Sequence, residues 1–146
     1  MLSQPTKEDA LLSDRLEITD LFARWARLLE EKRWDDAGTV FSDDVVLHTP
    51  RVGDSAIHGL AASVAYLHEV SAQGAGRSQH FTTDILVEVD GDTAAATANS
   101  LVYFYRDGEP AHMSSGLRLT YEAVRTSKGW RFSELTTKHL WTQGER

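Results

Sequence analysis

The chain has 146 residues, 41% of them hydrophobic and 25% charged, enough for one domain with a real core. Its formal charge of −7 argues against a nucleic-acid partner, because phosphate binding needs a concentrated basic surface. The lack of cysteine excludes disulfides, Cys-ligated zinc and thiol nucleophiles, and no apolar run approaches the length of a membrane span.

Residues 1–10 are polar and lack the apolar stretch of a signal peptide, so a cytoplasmic protein is expected. Thr6, with Asp9 three residues on, reads as a helix N-cap in a near capping box after Pro5. Leu11, Leu12, Ile18, Leu21, Phe22, Trp25, Leu28 and Leu29 then recur at helical spacing, with Asp20, Arg24, Arg27 and Glu31 opposite. This predicts a long amphipathic helix to about Glu31, with Ser13 as a point of breakage. "KRWDDAGTVF" predicts a short second helix anchored by Trp34, Val40 and Phe41. "SDDVVLHTP" predicts a turn and a strand over Val45–Thr49, stopped by Pro50. A loop from Arg51 to Gly59 leaves room for a two-residue strand at Ala56-Ile57. "LAASVAYLHEVSA" predicts a third helix with Leu60, Val64, Tyr66 and Leu67 inward. The linker "QGAGRS" follows a helix instead of a strand, so it does not read as a phosphate loop.

Strand signals fill the second half. A strand through Ile85–Asp90 turns at Asp90-Gly91, a strong hairpin dipeptide, into Thr93–Arg106. "RDGEPAH" is a longer turn, followed by a strand over His112–Thr126, a Ser127-Lys128-Gly129 turn and a last strand over Trp130–Trp141. Helices first and then a meander of four long strands predict a single α+β domain over residues 1–146: a curved antiparallel sheet with helices on one face.

Three of these stretches, in this order, resemble the nuclear transport factor 2-like superfamily, and within it the SnoaL-like branch. "ITDLFARWARLLEEKRWDDAGTVFSDDVVL" is similar to the first two helices and first strand. "QHFTTDILVEVDGDTAAATA" is similar to a histidine-bearing strand and hairpin, and "LTYEAVRTSKGWRFSELTTKHLWTQG" to the last hairpin. The resemblance implies a cone-shaped half-barrel with three N-terminal helices. That fold hosts dehydratases, isomerases, cyclases, epoxide hydrolases and plain binding modules, so it decides little about function. The nearest likeness is to scytalone dehydratase and related bile-acid dehydratases, which use neither metal nor organic cofactor. It places Glu30 at that family's aspartate and His80 at its strand-opening histidine. The family's second histidine falls near Phe104, which cannot transfer a proton. Two of its tyrosines fall near Leu29 and Thr49, and a Ser and Asn pair near Leu117 and Leu119. Trp25 stands where many relatives carry tyrosine, and Trp141 matches a C-terminal tryptophan.

His80 is therefore the first candidate catalytic residue, since an imidazole both takes and gives a proton near neutrality. A histidine at a strand start also serves as a plain edge cap. Strict alternation sets His80 with Thr82, Asp84, Leu86 and Glu88, opposite the apolar set Phe81, Ile85, Val87 and Val89. A bulge near Thr82-Thr83 would bring it to the core face. Glu30, the second catalytic candidate, lies off the apolar stripe of its helix and would read equally as a solvated carboxylate. Were it to face the pocket, the helix C-terminus and apolar burial would both raise its pKa.

Trp25, Tyr66, Phe104 and Trp141 are the expected wall of a pocket, joined by Leu29 and Leu119, with His48 placed to face the same mouth. His58, His68 and His112 read as loop or helix-surface residues and His139 as a rim residue. "HEVSA" at His68 lacks the second histidine of a zincin helix, so no metal site is expected. Tyr103 and Tyr105 alternate to the other sheet face, and an exposed "LVYFY" strand there points to a homodimer or homotrimer. The function expected is a cofactor-independent dehydratase or isomerase acting on a small cyclic, mostly apolar carbonyl compound, polyketide-like or steroid-like. No nucleic-acid or membrane partner is expected. The alternatives are a non-catalytic binding module of the same fold and, third, an accessory subunit of a ring-hydroxylating dioxygenase.

Overall fold

A computed structural model describes residues 3–49, 55–73 and 76–145. Helix α1 spans Lys7–Glu31 without a break at Ser13. It opens on the full capping box: Thr6 Oγ1 accepts from the Asp9 amide and Asp9 Oδ2 from the Thr6 amide, both at 3.0 Å. It ends where Lys32 turns left-handed, with φ 55°. Ile18, Leu21, Phe22 and Leu28 are buried, whereas Leu12 and Leu16 stay more than half exposed, so only the later turns of the predicted stripe reach the core.

The predicted second helix is a 3₁₀ segment, Trp34–Thr39, and Phe41 already belongs to strand β1, Phe41–His48. Strand β2 (Ile57–His58) and helix α2 (Leu60–Ala72) follow. The described helical segments thus number three, with two strands before the last of them. Residues 50–54 and 74–75, in the predicted loop and in the "QGAGRS" linker, lie outside the described residues. The four long strands are β3 (Arg77–Asp90), β4 (Thr93–Tyr105), β5 (Met113–Thr126) and β6 (Gly129–Gly144).

They form one curved, unclosed six-stranded sheet in the order β2-β1-β6-β5-β4-β3. The sheet is not wholly antiparallel as expected: β1 runs parallel to β6, with β2, α2 and the β3–β5 meander lying between them in the chain. An inner face holds Val45, Leu47, Ala94, Ala96, Ala98, Leu119, Tyr121, Ala123, Phe132 and Leu135, and α1 packs on it through Ile18, Leu21 and Phe22. Phe22, Tyr121 and Phe132 meet with centroids 5.0–5.6 Å apart. No described helix is long and apolar enough to cross a membrane.

One polar cluster ties α1 to the turns of the meander. Arg125 reaches both Asp14 oxygens at 2.8 Å and Asp92 at 3.0 Å, and its guanidinium lies 4.7 Å from the Trp130 ring centre. Trp130 Nε1 donates to the same Asp14 at 3.0 Å. The Arg125 hydrogen bonds hold the Asp14 carboxyl below its ordinary range. Asp14→Ala strands a buried indole N–H and loses a bidentate pair whose arginine is partly exposed. It is expected to cost about 1–2 kcal/mol in urea unfolding, with an unchanged denaturant slope.

Candidate active site

Two turns of chain geometry decide what faces the interior. In β3 the half-buried positions are Ser78, His80 and Thr82, and then Ile85, Val87 and Val89. The phase slips at Thr83-Asp84, where the pairing with β4 shifts register and Asp84 adopts φ 54°. This is the bulge that strict alternation required, seated one residue beyond Thr82-Thr83. Aspartate tolerates the left-handed region better than most residues, and this one is held in place. Asn99 Nδ2 donates to Asp84 Oδ2 at 2.9 Å, and Arg118 Nε donates to Asn99 Oδ1 at 2.7 Å on the outer face.

His80 consequently points inward, and Phe81, expected in the core, is 47% exposed on the outer face. Burial pushes the His80 imidazole down to about 4, so it is neutral at physiological pH. Its Nδ1 is buried without a hydrogen-bond partner. A buried, unsatisfied ring nitrogen is costly, and one aimed into an interior is what a proton-handling group needs.

Glu30 meets His80, but not as the resemblance implied. Its Oε1 accepts from the His80 main-chain N–H at 3.2 Å, not from the ring. The reason is topological: β3 is an edge strand, and its outward amides need acceptors. Glu30 thus pins the edge strand at the residue whose imidazole enters the interior.

The expected wall divides. Phe104 lies one row beyond His80 on the inner face, paired with Ser78 and Met113, and Leu119 is buried in the core. Trp25 packs edge-on against Phe41, with centroids 5.0 Å apart, and donates its indole N–H to Tyr121 at 3.2 Å. The Tyr121 hydroxyl, its pKa raised by burial, lies 3.3 Å from Thr137 Oγ1, closing a polar floor. Leu29 is half-buried at the end of α1, and Tyr66 lies 3.0 Å from Thr49 across the same mouth.

Two expected wall residues face away. His48 alternates opposite buried Leu47 and pairs with Glu134 at 2.7 Å on the outer face. Trp141 pairs with Gly116 and covers it, in an outer-face row with Leu101 and Phe81. A side chain at Gly116 would collide with the Trp141 ring. A second bulge explains the reversal: Leu140 is an extra residue between the Leu117–His139 and Gly116–Trp141 pairs, so His139 and Thr142 both turn inward. Sequence reasoning missed Ser115 and Thr142, whose hydroxyls meet at 3.2 Å on the inner face. Their only signal is small polar residues where strand alternation otherwise places apolar ones.

Two surface clefts, of about 500 and 480 Å³, lie elsewhere. One lies along Asp20, Arg24 and Arg27 of α1, where Arg33 is already paired with Glu31 and Asp36; the other surrounds Phe81, Tyr103 and Tyr105. Neither includes His80.

A curved, unclosed sheet wrapped on a long helix is the architecture of the nuclear transport factor 2-like class of half-barrels. The chain belongs to the SnoaL-like domain family, whose model matches residues 10–136. It is 30% identical over 128 residues to the uncharacterized protein Rv2910c of Mycobacterium tuberculosis, covering 84% of this chain and 82% of that one. Two solved structures from Novosphingobium aromaticivorans share the fold. One, provisionally assigned as an aromatic ring hydroxylase, is 26% identical with a TM-score of 0.78, covering 92% of this chain and 94% of that one. The other, provisionally assigned as a scytalone dehydratase, is 15% identical with a TM-score of 0.79, covering 95% and 92%.

The depressed His80 pKa has a signed consequence. The unfolded chain takes up this proton near pH 6.5, the folded chain only near 4, so stability is lost as pH falls between them. The expected loss is about 3 kcal/mol for this one group. Urea unfolding across that window should show it as a difference in slope between the wild type and His80→Gln; parallel curves would contradict it.

Proposed function

We propose that the chain is a cofactor-independent acid–base enzyme, a dehydratase or isomerase, acting on a small, mostly apolar cyclic carbonyl compound held on the inner face. The observation that carries this reading is the neutral imidazole of His80, buried and aimed inward with Nδ1 unpartnered. A neutral ring can accept the proton alpha to a carbonyl. The enolate so formed places a negative charge beside the imidazolium, which raises the pKa of the ring and holds the proton until it is delivered. Delivery to a beta hydroxyl expels water; delivery to a shifted carbon isomerises. In this reading His80 is the base and Glu30 the residue that fixes its backbone. The provisional scytalone dehydratase of the same fold supports the reaction class by analogy alone.

The test is proton exchange. A panel of cyclic ketones in deuterated water is expected to lose alpha-proton NMR signals faster with the protein than with buffer, and His80→Gln is expected to slow this by about 10²-fold or more. Glu30→Gln keeps an acceptor for the amide and should lose less than Glu30→Ala. Ligands that bind without any exchange would favour the binding module, a reading that the apolar Phe104, Leu117 and Leu119 also suit.

Self-association through the outer face belongs to the same proposal. Phe81, Leu86, Tyr103 and Trp141 are all at least 37% exposed there. Sedimentation is expected to give a dimer or trimer, and Phe81→Glu to give a monomer.

A further inference from the structure

The inner face carries a second built feature that a lone base does not use. His80 pairs with Val102, Val102 with Ser115 and Ser115 with Thr142, so one row crosses the sheet from its β3 edge to β6. Ser115 is only 8% exposed, and its Oγ lies 3.2 Å from Thr142 Oγ1. Thr142 Oγ1 in turn bonds His139 Nε2. His139 and Thr142 share a face only because of the bulge at Leu140. The result is a hydrogen-bonded line running from exposed His139 to buried Ser115, two strands from His80. Two strand spacings put the Ser115 and His80 backbones roughly 10 Å apart. The imidazole and the hydroxyl thus face the same side of the sheet, one on either side of Val102, a span that a bound carbonyl compound has to bridge.

We propose that Ser115 binds the carbonyl oxygen of an enolisable substrate and carries its charge in the enolate, with Thr142 and His139 as positioning residues. The inference rests on the acid–base reading above and narrows its substrate to compounds whose carbonyl oxygen points to the β5–β6 side. His80 takes the alpha proton; the C–H pair becomes the carbon–carbon double bond, and the carbonyl pair moves to oxygen, where the Ser115 hydroxyl donates. When the carbonyl re-forms, the pair expels the beta hydroxyl, which leaves as water with the proton from the imidazolium. For Ser115 to donate, its Oγ accepts from Thr142, whose Oγ1 accepts from His139 Nε2–H. This direction needs no strand movement during reaction, the condition under which such donors are most effective.

The probe is 4-nitrophenol, a planar enolate mimic whose anion absorbs in the visible. With saturating wild-type protein its ionisation midpoint is expected to fall below that of the free probe. Ser115→Ala is expected to restore about two pH units, a 10²-fold loss of preference for the anion, with Thr142→Val between the two. A merely structural Ser115 would change probe affinity or protein melting but leave the midpoint of bound probe where it was, and that result overturns the inference. A midpoint moved by His80→Gln and not by Ser115→Ala removes the role of Ser115 and keeps the acid–base site. Insensitivity to both variants, or no binding to the wild type, removes this inference and the parent reading together.

Discussion

A β-strand sends alternate side chains to opposite faces, and this sheet must set both a dry core and a polar site on the same face. Strict alternation allows that only if the polar residues fall on the core phase. They do not in β3 or β6, and the sheet resolves the conflict by inserting single residues. Asp84 shifts β3 so that His80 and Val87 both face inward, and Leu140 shifts β6 so that His139 and Thr142 do. A third shift, at Ser133, lets Trp130 and Phe132 share a face with Leu135. Each bulge gives up local pairing and gains a strand that serves two purposes along its length.

The interior that results is layered by polarity. Deepest are the aromatic contacts of Phe22, Tyr121 and Phe132, where the only hydroxyl is satisfied by Trp25 and Thr137. Beyond them come Leu117 and Leu119, and then the row holding His80 and Ser115. Apolar surroundings keep the imidazole neutral, and the edge strand that carries it is tied to α1 through Glu30. Burial sets the protonation state of the ring, and a carboxylate bonded to the backbone sets its placement.

Much of the fold could be read from the chain. The Thr6 cap, the long helix, the Asp90-Gly91 hairpin and the four-strand meander follow from local patterns, and the family resemblance covers nearly their whole span. The site was legible only in part. His80 came from the resemblance, because alternation alone put it on the wrong face; what corrects it is a left-handed aspartate, which no periodicity marks. Trp141 and His48 were misplaced for related reasons: their strands alternate about a phase that is fixed by a bulge or by a parallel partner, not by their own composition. Glu30 was legible as a residue near His80 but not as an acceptor for its amide, since only the sheet order makes β3 an edge. Ser115 and Thr142 gave almost no signal.

The clamp on Asp84 has an evolutionary corollary. Asn99, itself held by Arg118, grips that residue from the outer face, so the direction of His80 is encoded in the length of its strand as much as in its identity. A relative shorter by one residue at this point would turn Phe81 and Gln79 inward and expose its histidine, with every other letter unchanged. Within such a family, a one-codon deletion would bury or expose a histidine that an alignment of conserved histidines still counts as unchanged.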